Sequence, residues 1–140
     1  MPRRLHLAAM VAAIYALALS LVGMWPHPVD EDVDVAGFPP VHWTTDALGL
    51  TPLQGYEVVQ FAANIFLFVP FGALVLLMWH RAGVVHATVA GAAVAALIEL
   101  LQLLARPERL ASVQDVVANT LGAAAGAGLV WAARRRRRRA

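Results

Sequence analysis

The sequence predicts an all-α fold: a four-transmembrane-helix antiparallel bundle with both termini in the cytoplasm. Of the 140 residues, 60% are hydrophobic and 14% are charged, whereas about half and about a quarter are usual in soluble domains. Four apolar runs each reach the ~20 residues that an α-helix needs to cross a bilayer. We therefore expect a single domain that is a multi-pass protein of the cell membrane.

The first predicted span, residues 5–25, also has features of a signal peptide. It follows Arg3 and Arg4, and Ala16-Leu17-Ala18 is a candidate cleavage site. The apolar run continues to Trp25, however, which makes it longer than the core of an ordinary signal peptide. We therefore expect this segment to be retained as a membrane anchor.

Residues 26–57 are predicted to form an external loop, because this segment is acidic and contains no Lys or Arg. Loops on the cytoplasmic side of a membrane carry an excess of these two residues. With this loop outside, Arg81 and the basic tail, residues 134–140, lie in the cytoplasm. The remaining spans are predicted at about residues 58–79, 84–104 and 113–133.

The basic tail contains six consecutive arginines directly after a predicted span. Such a block more often fixes the topology and contacts anionic lipid than binds nucleic acid. Membrane lipids are therefore expected partners of the protein, and nucleic acid is not.

The sequence gives little support for metal or thiol chemistry. It has no cysteine, which excludes disulfides, thiolate catalysis and Cys-ligated zinc. His42 and Asp46 are four residues apart, but no third ligand is found at a suitable spacing. We therefore expect a solvated pair rather than a metal site, and no cofactor.

Polar side chains of three spans are predicted to meet at one depth, in the outer half of the membrane. The second span carries an amide in its first turns, the third ends with a carboxylate and an amide, and the fourth begins with another such pair. Ionisable residues within a span are rare and usually mark a functional site. The candidate site comprises Asn64, Glu99, Gln102, Arg109, Asp115 and Asn119.

Small residues predict which helix faces touch. Gly122 and Gly126 form a GxxxG pair on the fourth span, and such pairs allow two helix backbones to approach closely. The third span has a stripe of small residues that ends at Glu99: Ala87, Gly91 and Ala95. We expect these two faces to touch, which would bring Glu99 beside Asp115 and Asn119.

An alternative is that the polar side chains only hold the helices together. Interhelical hydrogen bonds in membranes contribute ~0.6 kcal/mol on average, whereas a carboxylate in mid-span costs ~2.5–3.5 kcal/mol. This imbalance favours a functional site for the charged residues Glu99, Arg109 and Asp115. For the three amides both explanations stay open.

Three linked motifs, between Glu57 and Gly128, carry a family resemblance. They are Asn64-xxx-Phe68-x-Pro70-x-Gly72, then Ile98-Glu99-Leu100-Leu101-Gln102, then Arg109 followed by Asp115-xxx-Asn119-xx-Gly122. In order and spacing they resemble the VanZ-like family of small bacterial membrane proteins. The resemblance implies a multi-span α-helical protein of the cell membrane. The namesake of the family is linked to resistance to the glycopeptide antibiotic teicoplanin, and the resemblance implies no particular reaction.

The first functional hypothesis is a non-catalytic protein of the cell envelope that binds an amphiphile in the outer leaflet. The ligand would be a lipid-linked cell-wall precursor or a lipoglycopeptide, and binding would reduce the action of the drug at the surface. Arg109 would pair with an anionic head group, and Glu99 and Asp115 would hold it in place.

The alternative is an integral membrane enzyme that acts on a lipid-linked phosphate or ester. Glu99 or Asp115 would then be the general base and Arg109 the anion clamp. The sequence shows no Ser–His or Cys nucleophile arrangement, nucleotide loop or metal cluster in its support. A small transporter is a third hypothesis, which is disfavoured because the ionisable groups stay on one side of the membrane.

Overall fold

The computed structural model describes Tyr15, residues 37–105 and residues 112–139. These residues form four α-helices and no strand, which confirms the all-α prediction for this part of the chain. The helices are α1 (Pro39–Leu48), α2 (Pro52–Met78), α3 (Val84–Ala105) and α4 (Val113–Arg137). Three of them, all except α1, are long and apolar enough to cross a membrane. The first predicted span lies outside the described residues apart from Tyr15.

Helix α1 lies within the segment that was predicted to be an external loop. Pro39 and Pro40 stand at the start of this helix, where a missing N–H has no consequence. Gly49 ends it in the left-handed conformation, with φ of 65°. The acidic stretch that precedes α1 lies outside the described residues.

Helix α2 begins at Pro52, six residues before the predicted span. Thr51 forms a capping box with Gln54: the backbone N–H of Thr51 donates to Gln54 Oε1 at 3.0 Å, and the N–H of Gln54 donates to Thr51 Oγ1 at 3.4 Å. This arrangement satisfies two of the backbone donors that a helix start leaves unpaired. Hydropathy alone missed the beginning of α2 because its first residues are polar.

The backbones of α2 and α4 are in direct contact. These two helices run side by side, and glycines line the contact. A methyl group placed on Gly72, Gly122 or Gly126 would overlap the carbonyl oxygen of Ala123, Ile65 or Val69, respectively. Such close approach is the packing that small residues permit between membrane helices.

The predicted partner of the glycine pair was therefore wrong. Gly122 and Gly126 face α2 and not α3. The small-residue stripe of α3 packs instead on Ala123 and Ala127, in the order expected for antiparallel helices. Helix α4 thus lies between α2 and α3. Its glycines face α2, which comes closest, and its alanines pack on α3.

Helix α2 continues through Pro70. Because proline has no N–H, the carbonyl of Phe66 lacks its usual helical donor. The hydroxyl of Tyr15 donates a hydrogen bond to the carbonyl of the next residue, Leu67. Tyr15 also packs against the core around Phe68. The one described residue of the first predicted span is thus in contact with α2 beside its proline.

At the other end of α2, Arg134 caps the helix. Its guanidinium donates to the carbonyl of Leu76, which lies in the last turn. A cation is favourable there, because the carboxyl end of a helix carries partial negative charge. Arg134 therefore has a structural role that distinguishes it from Arg136, which is exposed.

This difference predicts unequal effects for two identical substitutions. Arg134→Ala should lower the free energy of unfolding by about 1 kcal/mol, while Arg136→Ala should leave it unchanged. Unfolding by sodium dodecyl sulfate in mixed micelles, followed by circular dichroism, measures both. Equal losses in the two variants would contradict the cap.

Candidate functional site

Contacts between α3 and α4 place two carboxylates at one level of the bundle. Gly91 of α3 packs against Ala123 of α4. Glu99 lies eight residues after Gly91, and Asp115 lies eight residues before Ala123. Because the two helices are antiparallel, Glu99 and Asp115 lie at the same level, where α4 begins.

Glu99 accepts a hydrogen bond from the start of α4. Its Oε2 lies 2.8 Å from the backbone nitrogen of Ser112. Ser112 is the N-cap residue of α4, and its Oγ accepts the backbone N–H of Asp115 at 3.1 Å. Glu99 therefore connects the last turns of α3 to the first turn of α4.

Together these residues form a capping box that is divided between two helices. In an ordinary capping box the side chain three residues after the N-cap returns to the N-cap N–H. Here Glu99 of α3 occupies that N–H, and the carboxylate of Asp115 is directed to α2 instead. Asp115 Oδ1 accepts from Asn64 Nδ2 at 2.7 Å. One continuous set of hydrogen bonds thus links α2, α3 and α4.

Two acidic side chains, Glu99 and Asp115, lie at the amino end of α4. The first turn of a helix carries partial positive charge from its unpaired N–H groups. Asp115 lies in that turn, and Glu99 bonds directly to the N-cap. Acidic side chains are therefore favourable at both positions.

Two amides of the predicted site are more deeply buried than the carboxylates. Asn119 is 7% exposed and Gln102 is 9% exposed. Within the described part of the chain, Asn119 Oδ1 is the buried side-chain oxygen or nitrogen that has no hydrogen-bond partner. An unpaired buried polar atom costs about 1–3 kcal/mol. The hydrogen bonds among the described residues therefore leave this acceptor unsatisfied.

We define the polar cluster as the residues gathered at the start of α4: Asn64, Glu99, Gln102, Ser112, Asp115 and Asn119. The structure brings Asn64, Glu99 and Asp115 together through the hydrogen bonds described above. Arg109 lies outside the described residues, so its place at the cluster stays a prediction. The described residues contain no group of three or more potential metal ligands among His, Cys, Asp and Glu.

The model of the VanZ/LLP1 family matches residues 9–134, nearly the whole chain. The protein belongs to the VanZ/LLP1 family. This confirms the resemblance seen in the motifs, and the match extends beyond them to the first predicted span and the acidic segment. Comparisons with curated proteins and with solved structures gave no match.

The contact between α2 and α4 in this VanZ/LLP1 protein predicts a measurable coupling. Asn64→Leu and Asp115→Ala each remove one partner of the 2.7 Å hydrogen bond. In a double-mutant cycle we expect a coupling free energy of about 1.5 kcal/mol, near the upper limit for interhelical bonds in membranes, because the acceptor is charged. A control cycle of Asn64→Leu with Thr88→Ala, near the start of α3, should give less than about 0.5 kcal/mol. Equal couplings would contradict the contact.

Ser112 is the residue of the polar cluster that sequence reasoning missed. The signal was present: Ser112 precedes an apolar run and Asp115 follows three residues later, which is the pattern of a helix start. Asp115 was interpreted as an acid within the membrane, and its place in the first turn of a capped helix was overlooked. The pair His42–Asp46, 3.0 Å apart from Nδ1 to Oδ2, lies on the exposed side of α1.

Proposed function

We propose that this VanZ/LLP1-family protein binds an amphiphile of the cell envelope at the polar cluster. In this proposal four spans cross the cell membrane, both termini are cytoplasmic, and the cluster lies in the outer half of the bilayer. The family membership and the three long apolar helices support a membrane protein of this kind. The distribution of arginine supports the orientation.

The observation that carries the proposal is the unpaired oxygen of Asn119. Hydrogen bonding between helices accounts for Asn64, Glu99 and Asp115. It does not account for Asn119 Oδ1, an acceptor buried among apolar helices with no donor in the described residues. A ligand that carries a hydroxyl or an amide N–H would supply the missing donor.

The other residues have complementary roles in this proposal. Arg109 pairs with an anionic head group, and Gln102 lines the site beside Glu99. The hydrogen-bonded carboxylates hold the three helices in place around the ligand. A lipid-linked cell-wall precursor or a lipoglycopeptide has both an anionic or polar head and a chain that fits the membrane. Binding of either would link this protein to glycopeptide (teicoplanin) resistance.

Asn119→Leu tests the proposal with little structural disturbance. It replaces the side chain by one of similar size and removes an unpaired acceptor, so the free energy of unfolding should be unchanged or higher. We expect amphiphiles that co-purify with the wild type, identified by mass spectrometry, to be lost from this variant. The matched control is Thr120→Val, because Thr120 Oγ1 donates only within its own helix, to the carbonyl of Val116 at 2.7 Å.

The proposal fails if Asn119→Leu and the wild type carry the same amphiphiles in the same amounts. It also fails if Thr120→Val loses them equally, since the loss would then report a general disturbance of α4. Glu99→Ala is a weaker test of binding, because it also removes the hydrogen bond to the start of α4.

An integral membrane enzyme acting on a lipid-linked phosphate or ester is the second candidate. Glu99 and Asp115 already accept hydrogen bonds from Ser112 and Asn64 in the folded protein. These bonds favour a holding role over that of a general base. Asp115→Asn distinguishes the holding role from the role of a general base, because an amide oxygen still accepts from Asn64. If this variant binds the same amphiphile but loses the cellular effect, chemistry is favoured over binding.

A further inference from the structure

Helix α1 has three distinct faces. Val41 is fully buried, and its side chain and that of Thr45 lie over Gly55 of α2. His42 and Asp46 form an exposed hydrogen-bonded pair on a second face. Trp43 is 72% exposed and lies nearly opposite Val41, since two residues correspond to about 200° on a helix.

Other apolar residues of α1 and of the start of α2 are also exposed. Ala47 shares the face of Trp43, four residues away. Leu48 at the end of α1 and Leu53 in the first turn of α2 are 60% and 67% exposed. Among the described helices, α1 packs mainly on α2. Nothing in the described part of the fold covers this apolar surface.

The length of α2 places α1 at the level of the lipid head groups. The 27 residues of α2 span about 40 Å at 1.5 Å per residue, whereas the hydrocarbon core of a bilayer is ~30 Å thick. Trp79 and Arg81 directly follow the carboxyl end of α2 and mark one membrane boundary. The excess length of about 10 Å therefore lies at the amino end, where α1 packs against Gly55.

We propose that α1 is an interfacial helix that inserts Trp43 and Ala47 among the lipids of the leaflet opposite the arginine-rich end. Its His42–Asp46 face lies toward water. An amphipathic helix with an exposed tryptophan is suited to this position, because the indole ring favours the head-group region. Only three residues, Gly49 to Thr51, join α1 to α2, so α1 cannot move far from this level. The inference goes beyond the proposed function and does not depend on any ligand.

Two neighbouring residues provide a matched test. Because the natural chain has no cysteine, Asp46→Cys and Ala47→Cys each introduce a single thiol, on the water face and on the lipid face. In vesicles of phosphatidylcholine and phosphatidylglycerol, a water-soluble maleimide should label Asp46→Cys many times faster than Ala47→Cys. After denaturation in sodium dodecyl sulfate the two rates should be equal, which excludes a difference in intrinsic reactivity.

A second measurement reports on Trp43 itself. The full-length variant W25F/W79F/W131F retains Trp43 as its single tryptophan. Phospholipids brominated near the head group should quench its emission more strongly than phospholipids brominated deep in the chains, and aqueous iodide should quench it weakly.

Two results would overturn the proposal. One is equal labelling of the two thiols in vesicles together with strong iodide quenching, because α1 would then lie in water. The other is protection of Ala47→Cys that disappears when the protein is diluted in lipid, because a second copy of the chain would then cover the face.

Discussion

Gly126→Ala is expected to lower the free energy of unfolding by about 3 kcal/mol, at the upper end of the usual range for overpacking. An added methyl group at this position would overlap the carbonyl of Val69, and further backbone atoms of α2 lie close behind it. Backbone atoms cannot rotate away as the end of a side chain can. The two helices must therefore separate, which weakens contacts along the whole α2–α4 interface.

Gly128→Ala is the matched control, with the same substitution two residues further along α4. A methyl group there meets no atom within 4 Å. Since alanine favours a helix over glycine by about 1 kcal/mol, this variant should be equally or more stable than the wild type. Unfolding by sodium dodecyl sulfate in mixed micelles gives both values. Effects of the same sign and size would mean that the backbones of α2 and α4 are not in contact.

Glu99→Ala is expected to lower the free energy of unfolding by about 1.5–3 kcal/mol, as is typical when a hydrogen bond to a charged group is lost. The backbone N–H of Ser112 loses its acceptor from α3, and the start of α4 loses a favourable negative charge. Glu99→Gln keeps an acceptor oxygen and removes the charge, so its loss should be about half as large.

Glu57→Ala is the control for Glu99→Ala. Glu57 is exposed on α2, so its removal should change the free energy of unfolding by less than about 0.5 kcal/mol. Hydrogen exchange of the Ser112 amide adds a local measurement: it should become faster in Glu99→Ala and stay unchanged in Glu57→Ala. Unchanged exchange in Glu99→Ala would contradict the divided capping box.

Hydropathy predicted the three long helices of the described part of the chain, α2, α3 and α4. The helices α3 and α4 begin at the predicted residues, because long apolar runs bounded by turns leave little choice of boundary. The gathering of Asn64, Glu99 and Asp115 followed from their positions along antiparallel spans. The start of a helix depends on that helix alone, and the common level of these three residues depends only on the direction in which each helix runs.

Features that depend on the relation between neighbours were not predictable in the same way. A stripe such as Gly122 and Gly126 shows that some helix comes close, but it does not show which one. Pro39 and Pro40 can end a segment or begin a helix, and the residues after them decide between the two. The hydrogen bond between Glu99 and a backbone N–H was not predictable for a related reason. A sequence does not show which backbone donor a side chain will meet.

The division of the α4 cap between two helices has a consequence for the order of assembly during biosynthesis. When α4 leaves the ribosome, its first turn has only the hydroxyl of Ser112 to complete it. The second half of the cap, Glu99, belongs to a segment translated earlier. Helix α4 therefore reaches its final stability only when α3 packs against its first turn, and α3 and α4 should enter the membrane together as a hairpin rather than one after the other.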